Sequence, residues 1–326
     1  MKTMKINLSI YSYAYGFGFL DKLNSGVKYD LDYVLQKIKD KGLDGIELPF
    51  DIFFLNAEEN NLVNFLARCK KMQISISYAL ENFSADYLKN FLRTVSSFKN
   101  RKIIRVKISN FYGGNRFINK QYKNDIKKFK TEFNLVKKYL DKYDYKILIE
   151  NHQDLDCSDL DDLISYGDGR IGINWDIGNS LPTGLTPDRF YKRYKDFIGN
   201  VHLKDYKLKK TDNGYSLHRC ILGNGIIDFK EVFSTARRDK LDADFTIELG
   251  AHRPGEALIN NDSYWTETKG ISKAERNELL VFINSKASSQ INNSLLEQDL
   301  NNKQIIDSES NEVDRSIENI LKAYDN

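Results

Sequence analysis

The segment ILIENHQ, residues 147–153, places polar side chains directly after an apolar run. Its first three residues predict a strand that is buried on both faces, and Glu150 and His152 follow at once. Burying a charge that has no partner costs several kcal/mol or more. A strand that ends in this way has reached either solvent or a functional site.

Three other residues stand at or near the ends of apolar runs, namely Asp176, His202 and Glu248. If these runs are neighbouring parallel strands, their carboxyl ends meet at one mouth, and the three side chains converge there with Glu150. Three carboxylates and one imidazole form a hard, oxygen-rich ligand set. This set predicts one divalent metal ion, with Mn²⁺ favoured and Mg²⁺, Co²⁺ or Zn²⁺ possible.

Each of these residues also has an ordinary structural interpretation. A lone glutamate at a strand end is more often a salt-bridge partner, and a lone histidine near a loop is more often packed or solvated. The metal prediction depends on the joint placement of the four residues. All four histidines of the chain fall at or just after the predicted ends of strands five, seven and eight; they are His152, His202, His218 and His252.

Further polar residues at the same strand ends are candidates for contact with a substrate. Glu47 lies in strand two, Lys107 in strand four and Lys204 in strand seven, and His152 is expected to line the pocket. Glu47 could equally make a hydrogen bond behind the site. Of Arg105 and Lys107, we expect one to point inward and one outward, and either could pair with Glu47.

Strand patterns alternate with helical patterns along the chain, which predicts an α/β fold with a parallel sheet. Eight such units within 326 residues predict a single-domain (β/α)₈ TIM barrel over 1–326. The alternative is an open doubly wound sheet, which expects a glycine-rich phosphate loop after the first strand. Here that strand is followed by YSYAYGFGFL, which contains no GxGxxG. The predicted strands are 6–13, 45–50, 74–80, 102–109, 145–150, 171–176, 198–205 and 245–249, and the clearest helical patterns are 29–42, 57–72, 84–98, 116–142 and 186–197.

The chain after the eighth strand is irregular. Residues 251–308 contain Asn/Ser-rich stretches and one helical pattern at 272–286, and we interpret them as an insertion in the loop after strand eight. The pattern over 310–325 places apolar residues on one face and predicts the last barrel helix. The alternative is a disordered tail with one helix. The insertion could also cover the mouth or dock onto a neighbouring subunit, so a homo-oligomer is possible.

Composition narrows the class of protein. Apolar residues make up 41% and charged residues 29% of the chain, which is typical of a globular soluble protein. A net charge of +3 gives no electrostatic case for nucleic acid. No apolar run reaches the roughly 18 residues of a membrane span, and the first residues lack the pattern of a signal peptide. The three cysteines are far apart in sequence, so we expect a reduced, cytoplasmic protein.

The motifs ILIENHQ, NWDIGN, NVHLKD, LGNGIIDF and FTIEL occur in this order. Together they resemble the sugar phosphate isomerase/epimerase family of xylose isomerase-like TIM barrels, over roughly 5–250 and the final helix. The resemblance implies one divalent metal bound by Glu150, Asp176, His202 and Glu248. It also implies that Glu150 and Glu248 act as an acid/base pair, and that Arg219, just before the Leu-Gly-x-Gly turn, contacts the substrate.

Two positions depart from the patterns of this superfamily. The epimerases usually carry a histidine three residues after the strand-six aspartate, where this chain has Asn179, which we keep as a substrate-binding candidate. The DNA-repair endonucleases carry Asp-x-His before the Leu-Gly-x-Gly turn, where this chain has Leu217-His218-Arg219. We therefore reject an endonuclease.

Three functions remain. The first is a metal-dependent isomerase or epimerase that acts on a sugar, keto-sugar or polyol derivative by removing a proton next to a carbonyl. The second is a metal-dependent dehydratase or other lyase on a cyclic polyol or sugar derivative, in which the same glutamates would remove the proton. The third is a non-catalytic sugar-binding barrel, which the missing histidine at position 179 and the long loop after strand eight would suit.

Overall fold

A computed structural model describes residues 4–19, 29–54, 59–98, 100–109, 121–252, 254–291 and 301–325. Eight parallel strands form a closed barrel in the order β1-β10-β7-β6-β5-β4-β3-β2. The predicted (β/α)₈ barrel is confirmed, and the alternative of an open sheet is wrong. The barrel strands are β1 (Ile6–Ser9), β2 (Gly45–Pro49), β3 (Ser75–Leu80), β4 (Ile103–Val106), β5 (Lys146–Glu150), β6 (Ile171–Asp176), β7 (Ile198–Leu203) and β10 (Asp244–Ile247).

The apolar runs of the sequence become strands that are buried on both faces. In β5, Ile147, Leu148 and Ile149 are all buried, because one face turns to the barrel interior and the other to the surrounding helices. A strand in this position cannot alternate between apolar and polar residues. For that reason the position of each barrel strand could be predicted to within a few residues, with the largest error in β1, where a 3₁₀ turn replaces the strand after Ser9.

Helices surround the barrel where the predicted patterns lie. Asp30 caps the first helix, and Thr186 caps the helix over Pro187–Tyr194, with Pro187 in its first turn. Residues 57–58 and 116–120 of two predicted helical patterns lie outside the described residues. The helices are α1 (Leu31–Asp40), α2 (Phe50–Phe54), α3 (Glu59–Met72), α4 (Ala85–Val95), α5 (Tyr122–Tyr143), α6 (Cys157–Tyr166), α7 (Pro187–Tyr194), α8 (Phe229–Arg238), α9 (Asp262–Glu267), α10 (Lys273–Lys286) and α11 (Asn302–Asp325).

A small antiparallel sheet stands beside the barrel mouth and was not predicted. It contains β8 (Tyr206–Thr211), β9 (Gly214–Arg219) and β11 (Gly255–Ala257) in the order β11-β9-β8. With α9 and α10 it encloses a second apolar core around Leu208, Tyr215 and Leu279. The missed signal is Asn213-Gly214 between two alternating segments, which is a strong indication of a hairpin.

The last helix, α11, packs between α8 and α1. Tyr324 lies edge-on to Phe233 of α8, and Asp314 forms an ion pair with Lys37 of α1 at 2.9 Å. The helix begins at Asn302 and not at residue 310, so it also covers the last part of the predicted insertion over 251–308. Residues 253 and 292–300 of that range lie outside the described residues, and the assignment of the range as one insertion stays a prediction.

In the described part of the chain, no helix combines the length and the apolar character that a membrane crossing requires.

Candidate metal centre and substrate cavity

Four polar side chains converge at the carboxyl ends of the barrel strands. Glu150 ends β5, Asp176 ends β6, His202 lies near the end of β7, and Glu248 follows β10 directly. Strand pairing places Asp176 opposite His202. Each residue offers one ligand atom, and these four atoms all lie within 4.8 Å of one another. The structure thus brings together the four residues that the sequence predicted as metal ligands.

The imidazole of His202 is held in a fixed orientation. Its Nε2 lies 3.0 Å from a carboxylate oxygen of Glu47, and its Nδ1 contacts Glu248 and lies 3.7 Å from Glu150 Oε1. Burial acts to lower the pKa of His202, but Glu47 and Glu248 outweigh it and hold this pKa well above its ordinary value. Glu47 is fully buried behind His202, so it supports the imidazole and is not among the residues that line the cavity.

The carboxylates of this cluster fit a divalent cation. Within the described residues, Glu150 Oε1 and Asp176 Oδ1 are buried without a hydrogen-bond partner. Burial raises the pKa of Asp176 to about 7, even though Lys204 acts to lower it. Buried carboxylate oxygens that lack donors are stabilised by a bound cation. The donor set of three carboxylates and one imidazole suits several divalent ions and does not single out manganese.

Arg105 is a buried cation that contacts three carboxylates. Its guanidinium lies 2.9 Å from Glu81, 3.3 Å from Glu150 and 3.7 Å from Glu47. Burial acts to lower the pKa of Arg105, but the three glutamates outweigh it and the pKa stays well above its ordinary value. Glu81 was not predicted, because it lies just past β3 and joins the cluster only when the barrel closes.

Arg105 and Lys107 both line the cavity, so the expectation that one points inward and one outward is wrong. Residues two apart in an extended chain point to the same side, so Lys107, directly after the end of β4 at Val106, lies on the same side as Arg105. Its Nζ lies 2.8 Å from Glu81. Burial acts to raise the pKa of Glu81, but Arg105 and Lys107 together lower it to about 2. Both cations thus offset the negative charge of the cavity.

The central position of Arg105 predicts a large loss of stability when its charge is removed. Arg105→Met leaves buried glutamates without their cation, and breaking a buried ion pair costs about 3–5 kcal/mol. We expect urea unfolding to show a loss of this size. Arg68→Met is the matched control, because its ion pair with Asp32 is exposed and should contribute less than about 1 kcal/mol. Equal losses for both variants would contradict the central role of Arg105.

Two more predicted residues occupy fixed positions at the cavity. Lys204 Nζ lies 2.7 Å from Asp176 and 3.8 Å from Glu248. Arg219 donates hydrogen bonds to the carbonyl of Gly250 and to Glu312 of α11. The last helix therefore reaches the mouth of the barrel and holds an arginine there, which sequence reasoning did not show.

A cavity of about 420 Å³ opens above the cluster. Most of the predicted site residues line it, together with Tyr11 and Phe19 of the aromatic loop after β1. Tyr13 and Tyr15 of that loop are buried and are not among the residues that line the cavity. The predicted residues that line the cavity are Lys107, Glu150, His152, Asn179, Lys204, Arg219 and Glu248.

Asp205 organises the loop that leads away from Arg219. Its carboxylate is buried and accepts hydrogen bonds from five backbone N–H groups. Gly225 allows this approach, since an added Cβ would lie 2.3 Å from Asp205 Oδ1. The five donors are the N–H groups of Tyr206, Gly223, Gly225, Ile226 and Ile227.

Replacing Asp205 with asparagine is expected to destabilise this loop. An asparagine has one side-chain oxygen, so its NH₂ group would face backbone N–H groups that a carboxylate oxygen accepts from in the wild type. Hydrogen bonds to a charged acceptor are worth about 1.5–3 kcal/mol. Chemical denaturation should show a loss of about that size for Asp205→Asn and little change for Asp212→Asn on the exposed hairpin turn. An unchanged free energy of unfolding for Asp205→Asn would show that the loop does not depend on the carboxylate.

The family model described as "Xylose isomerase-like TIM barrel" matches residues 35–269, which is more than half of the chain. The chain belongs to the xylose isomerase-like TIM barrel family. The predicted family is thereby confirmed. The matched range includes seven of the eight barrel strands and all four residues of the candidate metal centre.

Proteins with solved structures share this fold. A D-psicose 3-epimerase with D-tagatose from Clostridium cellulolyticum H10 is 13% identical, with a TM-score of 0.56 over 87% of this chain and 99% of that one. The IOLI protein with a bound zinc atom is 13% identical, with a TM-score of 0.53 over 87% of this chain and 100% of that one. At this identity the likeness shows the fold alone.

Among curated proteins, an inosose dehydratase from Lacticaseibacillus casei is 23% identical over 133 residues. The match covers 36% of this chain and 45% of the dehydratase, so it spans less than half the length of that relative. An epimerase and a dehydratase are thus among the proteins similar to this chain. The family is one of enzymes.

Proposed function

We propose that the chain is a divalent-metal-dependent isomerase or epimerase of a keto-sugar or polyol derivative. The observation that carries the proposal is the placement of Glu150 and Glu248 around His202, at the base of a polar cavity. Two carboxylates that border one cavity can remove a proton next to a carbonyl and return it. The xylose isomerase-like membership and the epimerase among the similar structures support this reaction.

The residues of the chain have distinct tasks in this proposal. Glu150, Asp176, His202 and Glu248 would hold the metal, which when bound polarises substrate oxygens as a Lewis acid. Glu150 and Glu248 remove and return the proton. Lys107, His152, Asn179, Lys204 and Arg219 bind the substrate from the cavity wall. Glu47 holds His202 in place from behind.

The chemistry of the cavity supports a small, oxygen-rich substrate. Its lining combines charged and hydrogen-bonding groups with the rings of Tyr11 and Phe19. Manganese as the metal, a cytoplasmic location and a possible homo-oligomer stay predictions from the sequence.

A metal-dependent dehydratase is the second candidate, because an inosose dehydratase is among the curated proteins similar to this chain. Dehydration also begins with removal of a proton next to a carbonyl, so Glu150 or Glu248 would serve again. The two reactions differ in whether a hydroxyl leaves afterwards.

Deuterium exchange distinguishes these candidates. The manganese-loaded protein is incubated in D₂O with D-tagatose, L-ribulose or an inosose, and the products are followed by NMR. Deuterium at the carbon next to the carbonyl, without loss of water, supports the isomerase or epimerase. Loss of water supports the dehydratase. A protein that takes up metal and exchanges no proton on any keto-sugar would favour the non-catalytic sugar-binding barrel.

A further inference from the structure

Three neutral side chains form a hydrogen-bonded cluster in one wall of the cavity. Tyr206 OH donates to Asn179 Oδ1 at 2.7 Å, and Gln153 Nε2 donates to the same oxygen at 2.8 Å. Gln153 Nε2 also lies 3.3 Å from Tyr206 OH. All three residues are more than nine-tenths buried, and all three line the cavity.

The cluster leaves one donor and one acceptor without a partner. Within the described residues, Asn179 Nδ2 and Gln153 Oε1 are buried and make no hydrogen bond. A buried polar atom without a partner is destabilising, so two together in a cavity wall indicate a ligand. If the oxygen and the nitrogen of both side-chain amides are exchanged, Asn179 becomes the donor and Gln153 the acceptor within the cluster. One donor and one acceptor still lack a partner.

A donor beside an acceptor matches a hydroxyl group, which itself donates one hydrogen bond and accepts others. The cluster carries no charge, so it does not match a phosphate or a carboxylate, which can only accept. An imidazole at position 179 would be a titratable group, whereas Asn179 keeps one fixed pattern of donor and acceptor at every pH.

The local backbone is built to hold these side chains together. Gln153 has a φ of 67°, which is unusual for a residue other than glycine and turns the chain sharply after β5. Gly178 leaves room for the ring of Tyr206, since an added Cβ would lie 2.5 Å from Tyr206 Cδ2. Backbone strain of this kind is often retained at ligand sites.

We propose that Gln153, Asn179 and Tyr206 form a subsite that binds a neutral hydroxyl group of a polyol or sugar. The inference rests on the proposed function in so far as it concerns the same cavity. It adds two residues, Gln153 and Tyr206, and a chemical class for the part of the ligand that meets this wall.

Calorimetry with xylitol, sorbitol and myo-inositol tests the subsite, because these polyols have no carbonyl and do not react. Gln153→Met keeps the length of the side chain and removes the acceptor, so we expect polyol affinity to fall roughly tenfold. Gly255→Ala leaves the cluster intact and places a methyl group 3.0 Å from Gln153 Oε1, and it should weaken binding in the same way. Gln36→Met on exposed α1 is the matched control.

The result that overturns the subsite is binding that does not depend on it. Equal polyol affinity in wild type, Gln153→Met and Gly255→Ala, or no binding of any of the three polyols to wild type, refutes the inference. Thermal melts show whether each variant is folded, and if Gln153→Met is not, Gly255→Ala decides alone.

Metal uptake and deuterium exchange, measured on the same preparations, separate the subsite from the proposed function. Polyol binding that requires Gln153, in a protein without metal uptake or exchange, keeps the subsite and rejects the isomerase. Exchange that is unaffected by Gln153→Met, together with unchanged polyol affinity, keeps the isomerase and rejects the subsite.

Discussion

Replacing Glu248 with glutamine is expected to lower the rate of deuterium exchange on a keto-sugar by about 10²–10⁴-fold, the usual contribution of a positioned acid/base group. Glu248 lines the cavity and contacts His202, and an amide in its place cannot accept the proton. Neighbouring cationic groups favour the ionised form of Glu248. Burial acts to raise the pKa of Glu248, but Lys204 and His202 together lower it to about 2.

Glu256→Gln is the matched control for this variant. Glu256 lies on β11 close to the cavity, but it is exposed and binds Thr211 on the neighbouring hairpin. We expect its exchange rate to equal that of wild type. Glu150→Gln should behave like Glu248→Gln, and full activity in both cavity variants would refute the proposed acid/base pair. Metal content is measured alongside, so that a loss of rate can be assigned to proton transfer or to loss of the ion.

Replacing His202 with alanine is expected to remove bound metal. Elemental analysis of wild type loaded with Mn²⁺, Co²⁺, Zn²⁺ or Mg²⁺ should give about one ion per chain, since the four ligand atoms lie close enough together to hold one ion. The variant loses the only nitrogen of the set and the imidazole that Glu47 contacts. We therefore expect less than about a tenth of the wild-type content, in line with the 10–100-fold losses seen when ligand environments are disturbed.

His218→Ala controls for a general effect of losing a histidine. His218 lies on β9, where it is hydrogen-bonded to Ser216 and outside the set of four ligands. Its variant should keep the full metal content. A wild-type protein that binds no divalent ion under any loading condition would remove the basis of the proposed isomerase, and the non-catalytic sugar-binding barrel would then be the leading hypothesis.

The fold followed from the sequence because its signals are local. A strand buried on both faces must be apolar throughout, so runs such as Ile147–Ile149 mark the barrel without any knowledge of their neighbours. Alternation with amphipathic helices then implies a parallel barrel. The barrel in turn requires that Glu150, Asp176, His202 and Glu248 meet at one end, and the structure places them together.

Contacts between distant segments could not be predicted from local sequence patterns. Arg105 contacts glutamates that belong to or directly follow three other strands, and only the closure of the barrel decides which carboxylates share one guanidinium. Glu312 reaches Arg219 across 93 residues of sequence, because α11 packs beside the mouth. The pattern that predicted the last helix described its apolar face and carried no information about this polar contact.

The sequence by itself determined the order of the barrel strands, the family and the identities of the groups at the carboxyl ends of the strands. These properties depend on local periodicity and on the burial of each segment. The tertiary structure alone decided the partners and orientations of those groups, such as Glu47 behind His202 and Tyr206 beside Asn179. A hydrogen bond or an ion pair depends on distances of a few tenths of an ångström between separate strands, and only the packed barrel sets those distances.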